Sequence, residues 1–85
     1  MTALVADGTR RMRNDDAAGA ERVLREAVDL APEDANAHST FGVLLARTGR
    51  IDEAGREFAE AVRCDPDNAG FASNLERIRK MRGAR

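Results

Sequence analysis

Apolar residues recur along this chain at steps of three and four, in runs separated by glycine, proline and short polar residues. Phe41, Leu44, Leu45 and Thr48 keep helical spacing, as do Ile51, Ala54, Phe58, Ala61 and Val62, so each stretch carries one apolar stripe. Upstream, Ala20, Leu24, Ala27, Val28 and Leu30 make a third stripe before Pro32; downstream, Phe71, Leu75 and Ile78 make a fourth. The first stretch is weaker, with only Leu4, Val5, Gly8 and Met12, and its outer face should be wet. Gly49 stands where a left-handed helix cap is expected, and Pro66 stops the helix before it. Asp34 and Asn68, each two residues after a proline, read as N-caps. The pattern predicts an all-α fold of five helices, over residues 2–14, 17–30, 35–48, 51–64 and 69–82.

The stripes repeat. A gapless alignment of residues 1–34 with 35–68 gives nine identities: Ala3/Ala37, Gly8/Gly42, Arg13/Arg47, Ala20/Ala54, Arg22/Arg56, Glu26/Glu60, Ala27/Ala61, Val28/Val62 and Pro32/Pro66. Unrelated segments of ordinary composition would share about three. Small Gly42, Ala54 and Ala61 suit a close approach of two helices, and Phe41, Leu45 and Phe58 supply bulk beside them. With its period of 34 residues, and with His38, Phe41, Gly42 and Leu45, then Ala54 and Phe58, then Pro66 in the second copy, the chain resembles the tetratricopeptide repeat family. The first copy departs from that pattern, with Asp7 and Arg11 where the family has aromatic or aliphatic residues. The resemblance spans nearly the whole chain. It implies an α-α superhelix in one domain, with repeats at 1–34 and 35–68 and a capping helix at 69–82.

The resemblance further implies a protein interaction module, a scaffold or adaptor whose first helices line a concave groove for a partner peptide or helix. Those helices offer Thr2, Val5, Thr9, Met12 and Arg13, then Asn36, Ser39, Val43, Ala46 and Arg47, then Ser73, Arg77, Lys80 and Met81. Arg13 and Arg47 hold equivalent places, and Arg77 and Lys80 continue their row, which could grip the carboxylates of an acidic peptide. The plainer reading makes them solvated cations favoured by helix dipoles. In the family, Lys and Asn residues clamp the C-terminal carboxylate of chaperones. The matching places here hold Val5, Thr9, Thr40, Gly70 and Asn74, and only Asn74 is compatible, so no chaperone clamp is expected.

Composition narrows the partners. Residues 1–34 carry five basic and eight acidic residues, 35–68 four and six, and 69–85 five and one, which leaves a basic C-terminal tail on a chain of net charge −1. That tail, "RIRKMRGAR", could meet a nucleic-acid backbone. No aromatic residue is interleaved with it and Leu75 and Ile78 occupy its other face, so a solvated capping helix is the preferred reading and nucleic acid the rival one. Thirteen arginines against one lysine point to a GC-rich bacterial genome. Only four apolar residues in a row open the chain, too few for a signal-peptide core or a membrane span, and one cysteine permits no internal disulfide. A soluble cytoplasmic protein is expected.

Only His38 and Cys64 could serve as nucleophile or metal ligand, and both are expected in the core. Asp15 and Asp16, like Asp52 and Glu53, read as helix-opening acids. No enzyme activity, cofactor or metal site is expected. Stacked repeats usually need about three units, and this chain has two and a half. A capped monomer, a self-assembling solenoid and an adaptor stable only in a complex are all compatible with that.

Overall fold

The computed structural model describes residues 3–83, so Thr2 and the end of the basic tail, Ala84 and Arg85, lie outside the described residues. Five helices follow one another: α1 (Ala3–Arg13), α2 (Ala17–Leu30), α3 (Ala35–Arg47), α4 (Ile51–Cys64) and α5 (Ala69–Gly83). Among the described residues there is no strand, and the fold is all-α. The pairs α1/α2 and α3/α4 are the closest packed, α5 lies against α4, and α2 joins the pairs by packing on α3.

The turn inside each pair is built twice in the same way. Asp15 (φ 61°) and Gly49 (φ 84°), thirty-four residues apart, take the left-handed conformation after α1 and α3. The next residue then donates its N–H back over a full turn, Asp16 to the Arg11 carbonyl (2.8 Å) and Arg50 to the Leu45 carbonyl (2.9 Å). Asp15 and Gly49 themselves donate to Met12 and Ala46, both at 3.2 Å. Both are therefore Schellman caps, one closed by glycine and one by aspartate. Asp15 does not open α2; Asp16 alone caps it, accepting from the Gly19 N–H at 2.9 Å. The link between the pairs also recurs. Asp34 Oδ1 accepts from Asn36 and Ala37, and Asn68 Oδ1 accepts from Gly70 and Phe71.

The main core joins Ala20, Leu24, Phe41, Leu44, Leu45, Ala54, Phe58 and Ile78, and a smaller one joins Val5, Ala27 and Ala37. Two glycines set the helix spacing. A Cβ on Gly42 would lie 2.7 Å from the Phe58 ring, and one on Gly8 would lie 2.5 Å from the Leu24 side chain. Three stripe assignments are corrected. Leu30 is 69% exposed, and Val23 is buried in α2 instead. The equivalent Cys64 is only half-buried rather than in the core, with its thiol 3.6 Å from the Pro32 carbonyl of the α2–α3 link. Thr48 is exposed because its hydroxyl turns back onto the carbonyls of Leu44 and Leu45, both 3.1 Å away. His38 is buried as expected.

Candidate functional site

The first helices of the units, α1, α3 and α5, carry the predicted groove residues, and burial sorts these into two groups. Val5 is fully buried against Ala27 and Ala37, so it is core and cannot meet a ligand. Ser39 is also buried, and its hydroxyl accepts from Asn74 Nδ2 at 3.4 Å. Both corrections have one cause: a helix between two neighbours turns more of its face inward than a groove-lining stripe allows. Thr9 is half-buried and donates to the Val5 carbonyl at 3.0 Å. Asn36, Ser73, Lys80 and Arg13 are exposed, with Lys80 3.6 Å from Glu76.

Val43, Arg47 and Arg77 do come together. With Ala46, Phe58, Asn74, Ile78 and Met81 they line a hollow of about 210 Å³ between α3 and α5. Phe58 and Ile78, both buried, are core residues that reach this surface from below. Met81 is 49% exposed at its edge. Asn74 fixes the far wall by bridging Ser39 of α3 to Arg77, whose guanidinium donates to Asn74 Oδ1 at 2.6 Å. Sequence reasoning raised Asn74 only as a clamp residue; its spacing of three before Arg77 was the available signal for this role. Arg47 also borders a second hollow, of about 190 Å³, with Met12, Asp15, Ala17, Leu44 and Thr48. Arg13 lines neither hollow.

The charge distribution differs between the two sides. Across the second helices, Arg50, just before α4, grips Glu21 of α2 through two bonds (2.5 and 2.9 Å), and Arg25 reaches Glu21 at 3.0 Å and Glu53 at 3.7 Å. Hydrogen bonds from Arg50 and then Arg25 hold the Glu21 carboxyl down to about 2. The Arg25 guanidinium also lies 5.0 Å above the Phe41 ring. At α1 and α3, by contrast, Arg13 and Arg47 have no ion-pair partner among the described residues. The α3/α5 hollow therefore pairs an apolar floor with a free cation. Among the described residues no group of three His, Cys, Asp or Glu side chains could hold a metal ion, and no helix is long and apolar enough to cross a membrane.

Over 43 residues, 51% of this chain, the sequence is 46% identical to the TPR repeat-containing thioredoxin TTL4 of Arabidopsis thaliana, and it spans 6% of that protein's length. The family model described as Tetratricopeptide repeat matches residues 5–69, which covers both helix pairs and reaches the start of α5. The chain belongs to the tetratricopeptide repeat family, whose repeats generally mediate protein–protein interaction.

Proposed function

We propose that the chain is a cytoplasmic adaptor that takes a peptide or helix of a partner protein along the side formed by α1, α3 and α5. In this reading residues 1–34 and 35–68 are two repeats, and α5 closes the stack as one module. One apolar side chain of the partner enters the hollow over Phe58 and Ile78, and acidic neighbours meet Arg47 and Arg77. Arg13, equivalent to Arg47 in the first repeat, extends the cationic row, with Thr9, Met12, Asn36, Ser73 and Lys80 along its edges.

The observation that carries this reading is the conjunction at Arg47, an arginine without an ion-pair partner among the described residues that borders an apolar hollow. Elsewhere most arginines are engaged. Within α5, Arg82 pairs with Asp52 at 3.0 Å and Lys80 with Glu76 at 3.6 Å, which leaves the basic helix fewer unpaired charges for a nucleic-acid backbone. The test is fluorescence anisotropy with short labelled peptides that carry one leucine among acidic residues, at about 0.15 M salt. Wild type should bind them, and Arg13→Glu with Arg47→Glu should weaken binding at least about tenfold, while the circular dichroism spectrum stays unchanged. Equal binding by the double variant, or equal binding of a basic peptide set, would refute the reading.

A further inference from the structure

His38 is the chain's one histidine and is 7% exposed. It lies near the start of α3, and each of its ring nitrogens faces an oxygen on a different element. Nδ1 is 2.8 Å from Glu57 Oε1 on α4, and Nε2 is 2.7 Å from the Pro32 carbonyl in the α2–α3 link. A neutral imidazole has one N–H and one lone pair. In either neutral tautomer, a lone pair would stand against a carbonyl or carboxylate oxygen at hydrogen-bond distance. Only the imidazolium donates to both. Among the described residues, no buried side-chain nitrogen or oxygen lacks a hydrogen-bond partner, so the site as built is a satisfied one.

The groups around the ring favour the same state. Glu57 and Glu60, both on α4, bring negative charge to it. Arg63, the cation on that turn of α4, pairs with Glu60 and Glu33, which offsets part of the Glu60 charge. From the α2–α3 link the ring meets the Pro32 carbonyl, which also accepts from the Cys64 thiol at 3.6 Å. Two side chains, one from α3 and one from α4, thus converge on one carbonyl between the two helix pairs.

We propose that His38 is a protonated pin that fastens the α2–α3 link to α4, and that its deprotonation releases this junction, making the coupling of the two helix pairs sensitive to pH. Burial on its own would lower the histidine's affinity for its proton. The Glu57 bond, the Pro32 carbonyl and the charges of Glu57 and Glu60 outweigh it and hold the group above its ordinary 6.5. The sign follows. A raised value in the folded state gives stability that is complete below about 6.5 and is lost as pH rises through the folded value.

With a single histidine, a nitrogen-15 NMR titration of the full chain reads the group without overlap. Both ring nitrogens should show the protonated pattern on the acid side of a midpoint that lies above 6.5 and falls in Glu57→Gln. A midpoint at or below 6.5 would overturn the proposal, as would a midpoint unmoved by Glu57→Gln. In parallel, the Tm of wild type should fall as pH rises from about 6 to 8, below the range where the Cys64 thiol ionises. His38→Phe, which fills the site with an apolar ring, should lose that dependence. An identical slope in His38→Phe would mean that other groups cause it. If His38→Phe fails to fold, the wild-type titration still decides.

Discussion

Gly42 faces Phe58 as Gly8 faces Leu24, and at both contacts a single methyl group has no room. Gly42→Ala must push the buried Phe58 ring, so it should cost about 1–3 kcal/mol, read as a lower midpoint in urea unfolding. Gly8→Ala meets the fully buried Leu24 at 2.5 Å and should cost a similar amount. Glu21 makes a different residue-scale prediction. Its carboxyl, held at about 2 against an ordinary 4.5, stabilises the fold above about pH 4.5, and that stability is lost as pH falls towards 2. Because Glu21 and Arg50 are each about a third exposed, screening leaves a contribution of about 1 kcal/mol. Acid unfolding of Glu21→Gln should lack that increment, and an unchanged acid midpoint would contradict the assignment. At this scale the sequence was legible wherever period and size agree: Gly42, Ala54, Phe58 and Pro66 could be placed from spacing alone. Val5 and Ser39 were misread as groove because spacing marks a helix face but not how far the next helix wraps around it. The His38 bridge was not legible, since its partners lie 19 and 6 residues away on separate elements.

Helix ends show what a repeat preserves when its residues change. Backbone bonds in the two intra-pair turns match one for one, although glycine fills the left-handed position in one and aspartate in the other. Aspartate tolerates that conformation less well than glycine, so Asp15→Gly should stabilise the protein by about 0.5 kcal/mol. Gly49→Ala, in open space but at φ 84°, should destabilise it by about 1 kcal/mol. Thermal unfolding of both variants checks the pair of signs, and the same sign in both would contradict the cap assignment. The starts of α2 and α4 diverge in a useful way. Asp16 caps α2 with its side chain, whereas Arg50, the equivalent residue, caps nothing and instead bridges to Glu21 across the helix pairs. Gly49 announced its turn in the sequence; Asp15 did not, because an acid beside a second acid reads equally well as a helix start.

The whole molecule is compact. Its radius of gyration is 11.9 Å, about that of any globular chain of 85 residues. A ligand would meet one hollow and a cationic border, and its contact should be small and sensitive to salt. Both ends of the stack present charge. Phe41, Leu45 and the space beneath Arg25 form the junction in the middle, but at the α1 end Asp7 and Arg11 occupy the matching places and pair with each other and with Arg10 and Asp16. The outer face of α5 carries Glu76, Arg79 and Lys80. Ion-paired ends oppose continued stacking, so light scattering over a hundredfold range of concentration should give the monomer mass of 9.2 kDa throughout. A mass that rises with concentration would revive self-assembly.

Amide NMR of the labelled chain shows whether the side formed by α1, α3 and α5 binds a partner. On titration with an acidic, leucine-bearing peptide, the largest shifts should fall on Val43, Ala46, Arg47, Asn74, Arg77 and Met81, around the hollow. Shifts confined to the outer faces of α2 and α4, or to the basic end of the chain, would contradict the account.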